Sequence, residues 1–469
     1  MEQHLLLFAQ KINPHFYRIE KLTQSGSNRQ YFRIFADTKT IIGVYNNDLK
    51  ENNAFFYFTN FFLHKKINVP QIIAIDGTQQ FYLLEDLGDE TLFSFLISHR
   101  ENEKIEDTVI VHYKKVLQQL PLLQLCGKKE IDFSMCYPRF AFDKQSMQWD
   151  LNYFKYYFLK LADIPFDEQL LEDDFHRFID FLLAANSDYF MFRDFQSRNI
   201  MLFNDEPYFI DYQGGRKGAL QYDVASLLYD GKADLPPELR EELLQYYLEQ
   251  LNHHIDINKE EFCKYYYGFV LIRILQALGT YGFRGYYEKK THFLLSIPFA
   301  IKNLKYVLPK LEFGSKIQTL LKVIQQITES EFVASCTLPE NKLTVTISSF
   351  SYKKGVPLDL TSNGGGFVFD CRALPNPGRF PEYKNATGKD NVVINYLENF
   401  EEINLFGNLT AKLVSQSVDN YLERNFSHLM VNFGCTGGQH RSVYFAEKMA
   451  AYLKKEYATV NVVLNHSEI

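Results

Sequence analysis

The sequence lacks the features that mark membrane, secreted or zinc-binding proteins. No uninterrupted apolar run approaches the ~18 to 20 residues that span a bilayer, and the opening residues Met1–His4 form no basic signal-peptide segment. The six cysteines are widely scattered, without the paired spacing of a zinc site or a dense disulfide framework. These absences predict a cytoplasmic protein with buried, reduced thiols and no membrane partner.

An excess of positive charge is also absent. The chain has 50 Lys and Arg against 57 Asp and Glu, and its formal net charge is -7. That balance discourages nonspecific attraction to nucleic acid or to an anionic membrane. Aromatic residues are abundant, with 42 Phe and 31 Tyr, and 46% of the residues are hydrophobic. A chain of 469 residues with this composition predicts a folded protein of two or three domains.

The pattern that follows Phe192 indicates phosphoryl transfer. Asp194 is followed five positions later by Asn199, and Asp211 ends the next apolar run. Transfer of a γ-phosphoryl group needs a carboxylate beside the acceptor hydroxyl, and an amide oxygen plus a second carboxylate to hold Mg²⁺ on the phosphates. We therefore predict that Asp194 orients or deprotonates the acceptor, and that Asn199 and Asp211 bind Mg²⁺. Taken singly, either aspartate would be interpreted as a turn residue.

The same stretch resembles the aminoglycoside phosphotransferase and choline kinase group, a branch of the protein-kinase-like fold. The resemblance is carried by Arg193–Asn199, Ile210–Gln213 and Tyr222–Leu228. Within that group, the likeness is closest to sugar kinases that phosphorylate N-acetylmuramate or N-acetylglucosamine at the anomeric hydroxyl. It implies an α+β, two-lobed kinase-like domain, with residues 1–88 as the N-terminal lobe and 89–330 as the C-terminal lobe. It also implies ATP and Mg²⁺ as cofactors and a small-molecule sugar as the acceptor.

The resemblance implies a nucleotide site in two parts. The family's phosphate-covering loop corresponds to a turn between the strand candidates 16–22 and 30–35, with the residues Ser25, Gly26, Ser27 and Asn28. Such a turn can lay its N–H groups over phosphates, although alone it would be an ordinary hairpin turn. The segment from Glu85 to Leu87 corresponds to the connection between the lobes, and we expect its backbone to contact adenine.

Two positions depart from the wider family. The third strand candidate, Ile41–Tyr45, has no lysine to hold the phosphates, so no ion pair to the next helix can be assumed and Glu51 is interpreted as a helix-start carboxylate. Phe192 stands where the wider family has His. The missing lysine keeps open a second hypothesis, a kinase-inactive sugar-phosphate sensor or RNA adapter. Arg273 and Arg284 lie where relatives face the acceptor cleft, and each is as easily interpreted as a solvated helix charge as a contact to a sugar carboxylate or phosphate.

A second, smaller α/β domain is expected over residues 341–469. The strand candidate His428–Gly434 runs into a glycine-containing loop and then a helix, so loop N–H groups and Arg441 would form an anion site at a helix N-terminus. Before that strand, the apolar spacing predicts helices at 392–405 and 408–425. No strand is predicted after the last helix.

This domain resembles the C-terminal domain of the RNase adapter protein RapZ. The matching segments are Lys353–Asp359, Phe369–Pro377 and Gly434–Tyr444. In that family the domain binds an amino-sugar phosphate and is linked to small regulatory RNA. The resemblance assigns the phosphate site and its neighbours to Lys353, Asp370, Asn376, Cys435, Thr436, Gly437, Gly438, His440, Arg441 and Ser442. Gly378, where the family often has His, and the absence of a basic tail are departures.

The charge of the domain argues against tight RNA binding. Residues 341–469 contain 13 Lys and Arg and 12 Asp and Glu, so the net charge is 13 - 12 = +1. We expect any RNA complex to be weak and salt-sensitive. A third alternative is a cysteine phosphatase, because Cys435, Arg441 and Ser442 have the spacing of a thiolate phosphate loop, although no general-acid loop is evident. The sequence is compatible with a homo-oligomer and does not identify the acceptor.

Overall fold

A computed structural model describes residues 1–22, 29–101, 104–126, 130–288, 290–330, 333, 343–357, 359, 366–424 and 426–469. The chain divides into two compact units. The first comprises Met1–Thr280 with Phe299–Ser330, and the second comprises Tyr281–Pro298 with Glu331–Ile469. No helix in the described ranges is long and apolar enough to cross a membrane.

The helices are α1 (Glu2–Ile12), α2 (Leu49–His64), α3 (Leu92–Ser98), α4 (Asp107–Leu125), α5 (Lys144–Phe154), α6 (Glu168–Leu183), α7 (Leu220–Leu228), α8 (Pro237–Asn252), α9 (Lys259–Gly282), α10 (Ile297–Val307), α11 (Gln318–Thr328), α12 (Asn391–Glu398), α13 (Glu401–Glu423) and α14 (Arg441–Glu456). The strands are β1 (Arg18–Lys21), β2 (Gln30–Phe35), β3 (Thr40–Tyr45), β4 (Ile72–Ile75), β5 (Phe81–Glu85), β6 (Arg100–Glu101), β7 (Lys104–Ile105), β8 (Tyr189–Met191), β9 (Ile200–Phe203), β10 (Glu206–Phe209), β11 (Arg216–Gly218), β12 (Thr344–Ser351), β13 (Gly366–Asp370), β14 (His428–Cys435) and β15 (Asn461–His466).

The first unit begins with a five-stranded antiparallel sheet in the order β1-β2-β3-β5-β4. Strand alternation sorts its two faces. Phe32 and Ile34 of β2 are buried in a core cluster with Leu5 of α1. Gly43 of β3 completes that contact, because a Cβ there would lie only 3.0 Å from the Ile34 side chain and 3.2 Å from that of Leu5. The other face of β2 carries Tyr31 and Arg33.

The rest of the first unit is largely helical and carries two short hairpin-like sheets. Strand β9 pairs with β10, and β8 pairs with β11, both antiparallel. Their connections contain the segments 192–199 and 210–215, in which the sequence pattern for phosphoryl transfer lies. Short 3-10 helices at Ser197–Asn199 and Tyr212–Gly214 bring the chain around at these points. The small sheets therefore position the predicted catalytic residues.

The second unit contains a four-stranded, wholly parallel sheet in the order β13-β14-β12-β15. All eight residues of β14 are buried, as expected for a central strand of a parallel sheet. Its core includes Val345, Val431, Phe433 and Phe445, the last from α14. This arrangement places the end of β14 and the start of α14 at one edge of the sheet.

One sequence prediction for this unit was wrong, and one strand was missed. The helix predicted at 392–405 ends at Glu398, and a new helix begins at Glu401 after the extended residue Phe400. Glu401 and Glu402 in the first turn favour that new start, because acidic side chains stabilise a helix N-terminus. The strand β15 was not predicted. It exists through its register with β12, which lies more than a hundred residues earlier in the chain.

Candidate active site

The loop that follows β8 is held in a strained conformation by two buried carboxylates. Arg193 has φ of 82°, in the left-handed region that non-glycine residues rarely adopt. The carboxylate of Asp223 accepts the N–H groups of Phe192 at 2.8 Å and Arg193 at 3.0 Å. The Arg193 side chain donates to Asp150 at 2.7 Å. Such over-determined strain is typical of functional loops, and it places the next residue, Asp194, at the exposed edge of the loop.

The three residues predicted to carry the chemistry lie together. The side-chain nitrogen of Asn199 donates to the backbone oxygen of Asp194 at 2.9 Å and lies 3.5 Å from a carboxylate oxygen of Asp211. Gln213 donates to the other carboxylate oxygen of Asp211 at 2.7 Å. Asp211 itself has φ of 69°, a second left-handed residue in this region. The Asp194 carboxylate is half exposed, which leaves it accessible to an acceptor.

The electrostatics of Asp211 suit a divalent cation. Burial raises the pKa of Asp211, and the nearby Asp194 raises it further, while the Gln213 hydrogen bond and the charge of Arg29 oppose the rise. A buried carboxylate near another carboxylate is stabilised by a cation. Because the amide nitrogen of Asn199 is used in hydrogen bonding, its carbonyl oxygen is the atom available to a metal, and Mg²⁺ prefers oxygen ligands. Asn199 and Asp211 therefore fit a Mg²⁺ ion that phosphates would help to hold.

The two arginines singled out for the acceptor side have different surroundings. Arg273 is buried, donates to the hydroxyl of Ser226 at 3.1 Å and lies 4.0 Å from the Asp194 carboxylate. Arg284 is paired with Glu288 at 3.7 Å. Arg273 therefore places a positive charge beside the predicted catalytic carboxylate.

Of the predicted nucleotide site, the structure describes only the second part. Ser25, Gly26, Ser27 and Asn28 lie outside the described residues. Leu87 is buried, and the Glu85 side chain accepts the N–H of Gln71 at 3.2 Å. Arg33 fixes the connection that follows β5, because its guanidinium donates to the Asp86 carboxylate at 2.7 and 3.1 Å.

An ion pair between the sheet and the next helix, which could not be assumed from the sequence, is present in the structure. Strand β3 carries no lysine, yet Glu51 in the first turn of α2 lies 3.3 Å from the guanidinium of Arg29. Glu51 also accepts a hydrogen bond from Asn46 at 2.6 Å. Arg29 directly precedes β2, the strand that pairs with β3. Strand alternation places positions 29, 31 and 33 on one face, and this pattern could have identified Arg29 as the partner of Glu51.

The loop between β14 and α14 converges on a sulfur atom. The N–H of Gly438 donates to the Sγ of Cys435 at 3.2 Å, and the Ser442 hydroxyl lies 3.1 Å from the same sulfur. Burial raises the pKa of the Cys435 thiol, but the hydrogen bonds from Ser442 and Gly438 and the charge of Arg441 outweigh it, so the pKa is lowered. Gly438 has φ of 74°, which favours glycine at this turn. This is an environment that stabilises an anion.

Arg441 connects this loop to the segment after β13. Its Nη1 donates to the backbone oxygens of Arg372 and Leu374, each at 2.8 Å. His440 approaches the backbone oxygen of Tyr383 at 2.9 Å. The guanidinium of Arg441 therefore contributes charge to the loop while one of its nitrogens supports the neighbouring segment.

The other residues assigned to this site differ in their surroundings. Asp370 is paired with Arg372 at 2.7 Å, and Asn376 accepts the N–H of Gly378 at 3.3 Å. Three further members of the set are exposed at the surface: Lys353, Thr436 and Gly437. The structure thus brings Cys435, Gly438, Arg441 and Ser442 together, and the pKa of Asp370 is lowered by its hydrogen bonds with Arg372 and also by the charge of Arg441.

The comparison with protein families decides the classification. Residues 18–257, which are 240 of the chain's 469, match the phosphotransferase enzyme family. The chain belongs to that family. Residues 343–469 match the RapZ C-terminal domain. This domain follows the kinase-like part of the chain, so the predicted resemblances to the phosphotransferase group and to the RapZ C-terminal domain are confirmed, as is the predicted fold class, α+β kinase-like followed by α/β.

Individual relatives match smaller shares of the chain. A nucleotide-binding protein of Endomicrobium trichonymphae is 38% identical over 154 residues, 33% of this chain and 49% of the relative. One of Acidobacterium capsulatum is 45% identical over 114 residues, 24% of this chain and 36% of the relative. The chain thus spans about half or less of these curated relatives. Among solved structures, a choline kinase from Cryptosporidium parvum has a TM-score of 0.45 and 14% identity, covering 69% of this chain and 97% of that chain.

Proposed function

We propose that this protein is an ATP-dependent kinase that phosphorylates a hydroxyl group of a small molecule, an amino sugar or an N-acetylmuramate-type sugar. The observation that carries the proposal is the convergence of Asp194, Asn199 and Asp211 on one site, linked through the Asn199 amide. Membership of the phosphotransferase enzyme family supports the reaction class. The sugar assignment rests on the sequence resemblance to anomeric sugar kinases.

In this proposal each residue has one task. The exposed Asp194 carboxylate accepts the hydrogen bond of the acceptor hydroxyl and orients its oxygen towards the γ-phosphorus, taking its proton as the bond forms. The Asn199 oxygen and the Asp211 carboxylate would hold Mg²⁺, which when bound neutralises charge on the phosphates. The buried pair of Asp223 with the loop N–H groups keeps Asp194 in position. Positioning and charge stabilisation supply most of the catalysis in such a reaction.

The surroundings of Asp194 are positively charged and favour an acceptor that carries a negative group. Arg273 lies 4.0 Å from that carboxylate. The buried Arg216 interacts electrostatically with it as well. Burial and Arg193 lower the pKa of Arg216 to about 10, and the charge of Asp194 opposes that fall. A carboxylate on the acceptor, as in muramate-type sugars, would be attracted to such a cluster. A neutral amino sugar would depend on hydrogen bonds alone.

The test is a panel of N-acetylmuramate, N-acetylglucosamine, other amino sugars and aminoglycosides, supplied with ATP and Mg²⁺. We expect ADP formation that requires one of these acceptors. Asp194→Asn should lower kcat by about 10² to 10⁴-fold without changing the melting temperature. Asp205→Asn, which alters an exposed carboxylate paired with Lys115, is the matched control and should keep the wild-type rate. Absence of acceptor-dependent turnover, or a wild-type rate in Asp194→Asn, would leave the inactive-sensor alternative.

A second role is favoured for the C-terminal domain by the anion-stabilising loop around Cys435. We propose that this domain binds an amino-sugar phosphate at the start of α14, where loop N–H groups and a helix N-terminus favour anions. Glucosamine 6-phosphate and N-acetylmuramate 1-phosphate should each be tested for a rise in the melting temperature of the full chain. Cys435→Ser should show the same rise. Any release of phosphate from these compounds should be no lower in Cys435→Ser than in wild type. Phosphate release that depends on Cys435 would instead indicate a phosphatase, and no rise with either compound would contradict the binding role.

A further inference from the structure

We propose that Arg29 supplies the phosphate-binding cation that strand β3 lacks, and that it contacts the β- and γ-phosphates of the nucleotide. This inference rests on the proposed kinase function and assigns a residue to its nucleotide site. Phosphoryl-transfer enzymes of this architecture need a cation that is paired with an acid on the neighbouring helix and lies close to the metal-binding aspartate. In this chain Ile42 and Val44 of β3 are apolar, so the cation must come from elsewhere.

The alternation of β2 places Arg29 on the required face of the sheet. Phe32 and Ile34 point towards α1, so positions 29, 31 and 33 lie on the opposite face. Strand β2 pairs directly with β3, and Gln30 is opposite Tyr45 at the end of that ladder. A side chain at position 29 therefore begins one strand away from the place where a β3 lysine would stand.

The contacts of Arg29 reproduce the pairing that such a cation requires. Its Nη2 lies 3.3 Å from the Glu51 carboxylate, and its Nη1 donates to the Tyr31 hydroxyl at 3.4 Å. The Arg29 side chain is 2% exposed, whereas Glu51 is 25% exposed. A buried guanidinium is costly unless it is paired, and Glu51 is also shared with Asn46. A phosphate group bound at this pair would be a further anionic partner for the guanidinium.

The helix that carries Glu51 also connects Arg29 to the metal-binding aspartate. The Arg29 guanidinium lies 5.6 Å from the ring centroid of Phe55 in α2. Phe55 is stacked on Tyr212, with centroids 5.2 Å apart and an interplanar angle of 8°. Thr59, one turn further along α2, lies 2.6 Å from the Tyr212 hydroxyl. Because Tyr212 directly follows Asp211, the same helix fixes both the cation and the carboxylate.

The contacts along α2 agree with this placement. Phe55 contacts the Arg29 guanidinium and stacks on Tyr212, the residue after Asp211. A triphosphate whose Mg²⁺ is held by Asp211 would therefore lie close to Arg29. The other arginine on this face, Arg33, is paired with Asp86 and Asp89 at 2.7 and 2.9 Å and supports the connection after β5.

The test measures the preference for phosphates separately from the binding of the base. ATP, ADP and adenosine are titrated by calorimetry into the full chain with Mg²⁺, for wild type, Arg29→Met and Arg29→Lys. We expect Arg29→Met to weaken ATP binding by about 10 to 100-fold, the worth of charge-assisted hydrogen bonds, while adenosine binding is unchanged. Arg29→Lys should restore part of the loss. The control is Arg18→Met in the same sheet, where an exposed pair with Glu20 is removed and no change is expected.

The possible outcomes separate this inference from the kinase proposal. If wild type binds ATP and Arg29→Met keeps the full preference for ATP over adenosine, the assignment of Arg29 is wrong while the kinase function stands. An equal loss for ATP and adenosine would show a structural role and would also overturn it. If wild type binds no ATP and has no turnover, both proposals fall. Should Arg29→Met fail to fold because Glu51 is left unpaired, the neutral double variant Arg29→Met with Glu51→Gln is expected to show the same selective loss of ATP binding.

Discussion

Two loops in this protein have opposite electrostatic designs. The first comprises the connections after β8 and β10, where the Asn199 amide reaches the backbone oxygen of Asp194 and the carboxylate of Asp211, and burial raises the pKa of Asp211. The loop after β14 gathers N–H and O–H donors around Cys435, and the pKa of that thiol is lowered. The first loop has the charges expected of the proposed Mg²⁺ site. The second has the donors expected of the proposed phosphate site.

The difference agrees with the ligand proposed for each loop. Phosphoryl transfer needs Mg²⁺ and a base, so carboxylates must be kept close together in spite of their repulsion. Phosphate binding needs donors, and a loop at a helix N-terminus supplies these from the backbone. Both loops depend on left-handed backbone conformations, at Arg193 and Asp211 in one and at Gly438 in the other. Only the second uses glycine, so the first must be stabilised by its side-chain contacts.

The largest expected effect tests the cation-dependent half of the comparison. Asp211→Asn should lower turnover by about a thousandfold or more and abolish the rise in melting temperature caused by Mg²⁺ with ATP. The ligand-free variant should be at least as stable as wild type, because a raised pKa means that ionising Asp211 costs folding free energy. That cost is absent below the ordinary aspartate pKa, develops as pH rises through the raised pKa and is constant above it, so the stability gain should be larger at neutral pH than at about pH 3. A destabilised Asp211→Asn with normal Mg²⁺ dependence would contradict this account.

The next effect tests how the strained loop is stabilised. In Asp223→Asn, one of the two accepting oxygens becomes an N–H₂ group and faces the N–H of Phe192 or Arg193. The free energy of unfolding should fall by about 1 to 3 kcal/mol, the cost of a buried unpaired donor, and turnover should fall with it. Chemical denaturation measures this change. Asp188→Asn, at an exposed carboxylate 2.7 Å from Lys217, is the control and should change stability by a few tenths of a kcal/mol.

A smaller effect distinguishes two thiols of the same sheet. Hydrogen bonds lower the pKa of Cys435, whereas burial raises that of Cys371 well above its usual range. The thiolate is the reactive form, so alkylation of Cys435 should begin at lower pH than alkylation of Cys371. Mass spectrometry after timed iodoacetamide treatment across pH 6 to 10 would compare them. Reaction of Cys371 before Cys435 would show that the loop after β14 does not favour an anion.

The smallest effect concerns RNA. With a net charge of +1, residues 341–469 can neutralise few phosphates. Binding of a structured RNA to the full chain should be weak at low salt and lost at physiological salt, as measured by fluorescence anisotropy. A tight complex at physiological salt would mean that a local basic surface, rather than the anion-binding loop, dominates the recognition of phosphates by this domain.

Sequence patterns predicted those features that depend on neighbouring residues. Alternation defined the strand at 30–35, which is found as Gln30–Phe35, and the spacing of Asp194, Asn199 and Asp211 identified a set that the fold brings together. The strand-loop-helix order identified the loop after β14 in the same way. In each case the information lies within a few turns or within one hairpin.

Other features could not be predicted because they depend on distant contacts. The partner of Arg193 is Asp150, which lies 43 residues away, and no local pattern marks it. The ion pair between Arg29 and Glu51 joins the start of β2 to α2, with β3 between them in the chain. A search for a cation on β3 alone therefore missed it. Strand β15 forms only against β12. The glycine loop was found, but the carbonyl partners of Arg441 come from the segment after another strand.

The central claim is that the carboxylate loop transfers a phosphoryl group from ATP to a sugar hydroxyl. It is tested most directly by ³¹P NMR of the full chain incubated with ATP, Mg²⁺ and N-acetylmuramate or N-acetylglucosamine. The account predicts a new phosphomonoester signal coupled to the anomeric proton, formed as ATP is converted to ADP and absent with Asp194→Asn. Unchanged ATP, or conversion of ATP to ADP and inorganic phosphate with no sugar phosphate, would contradict it.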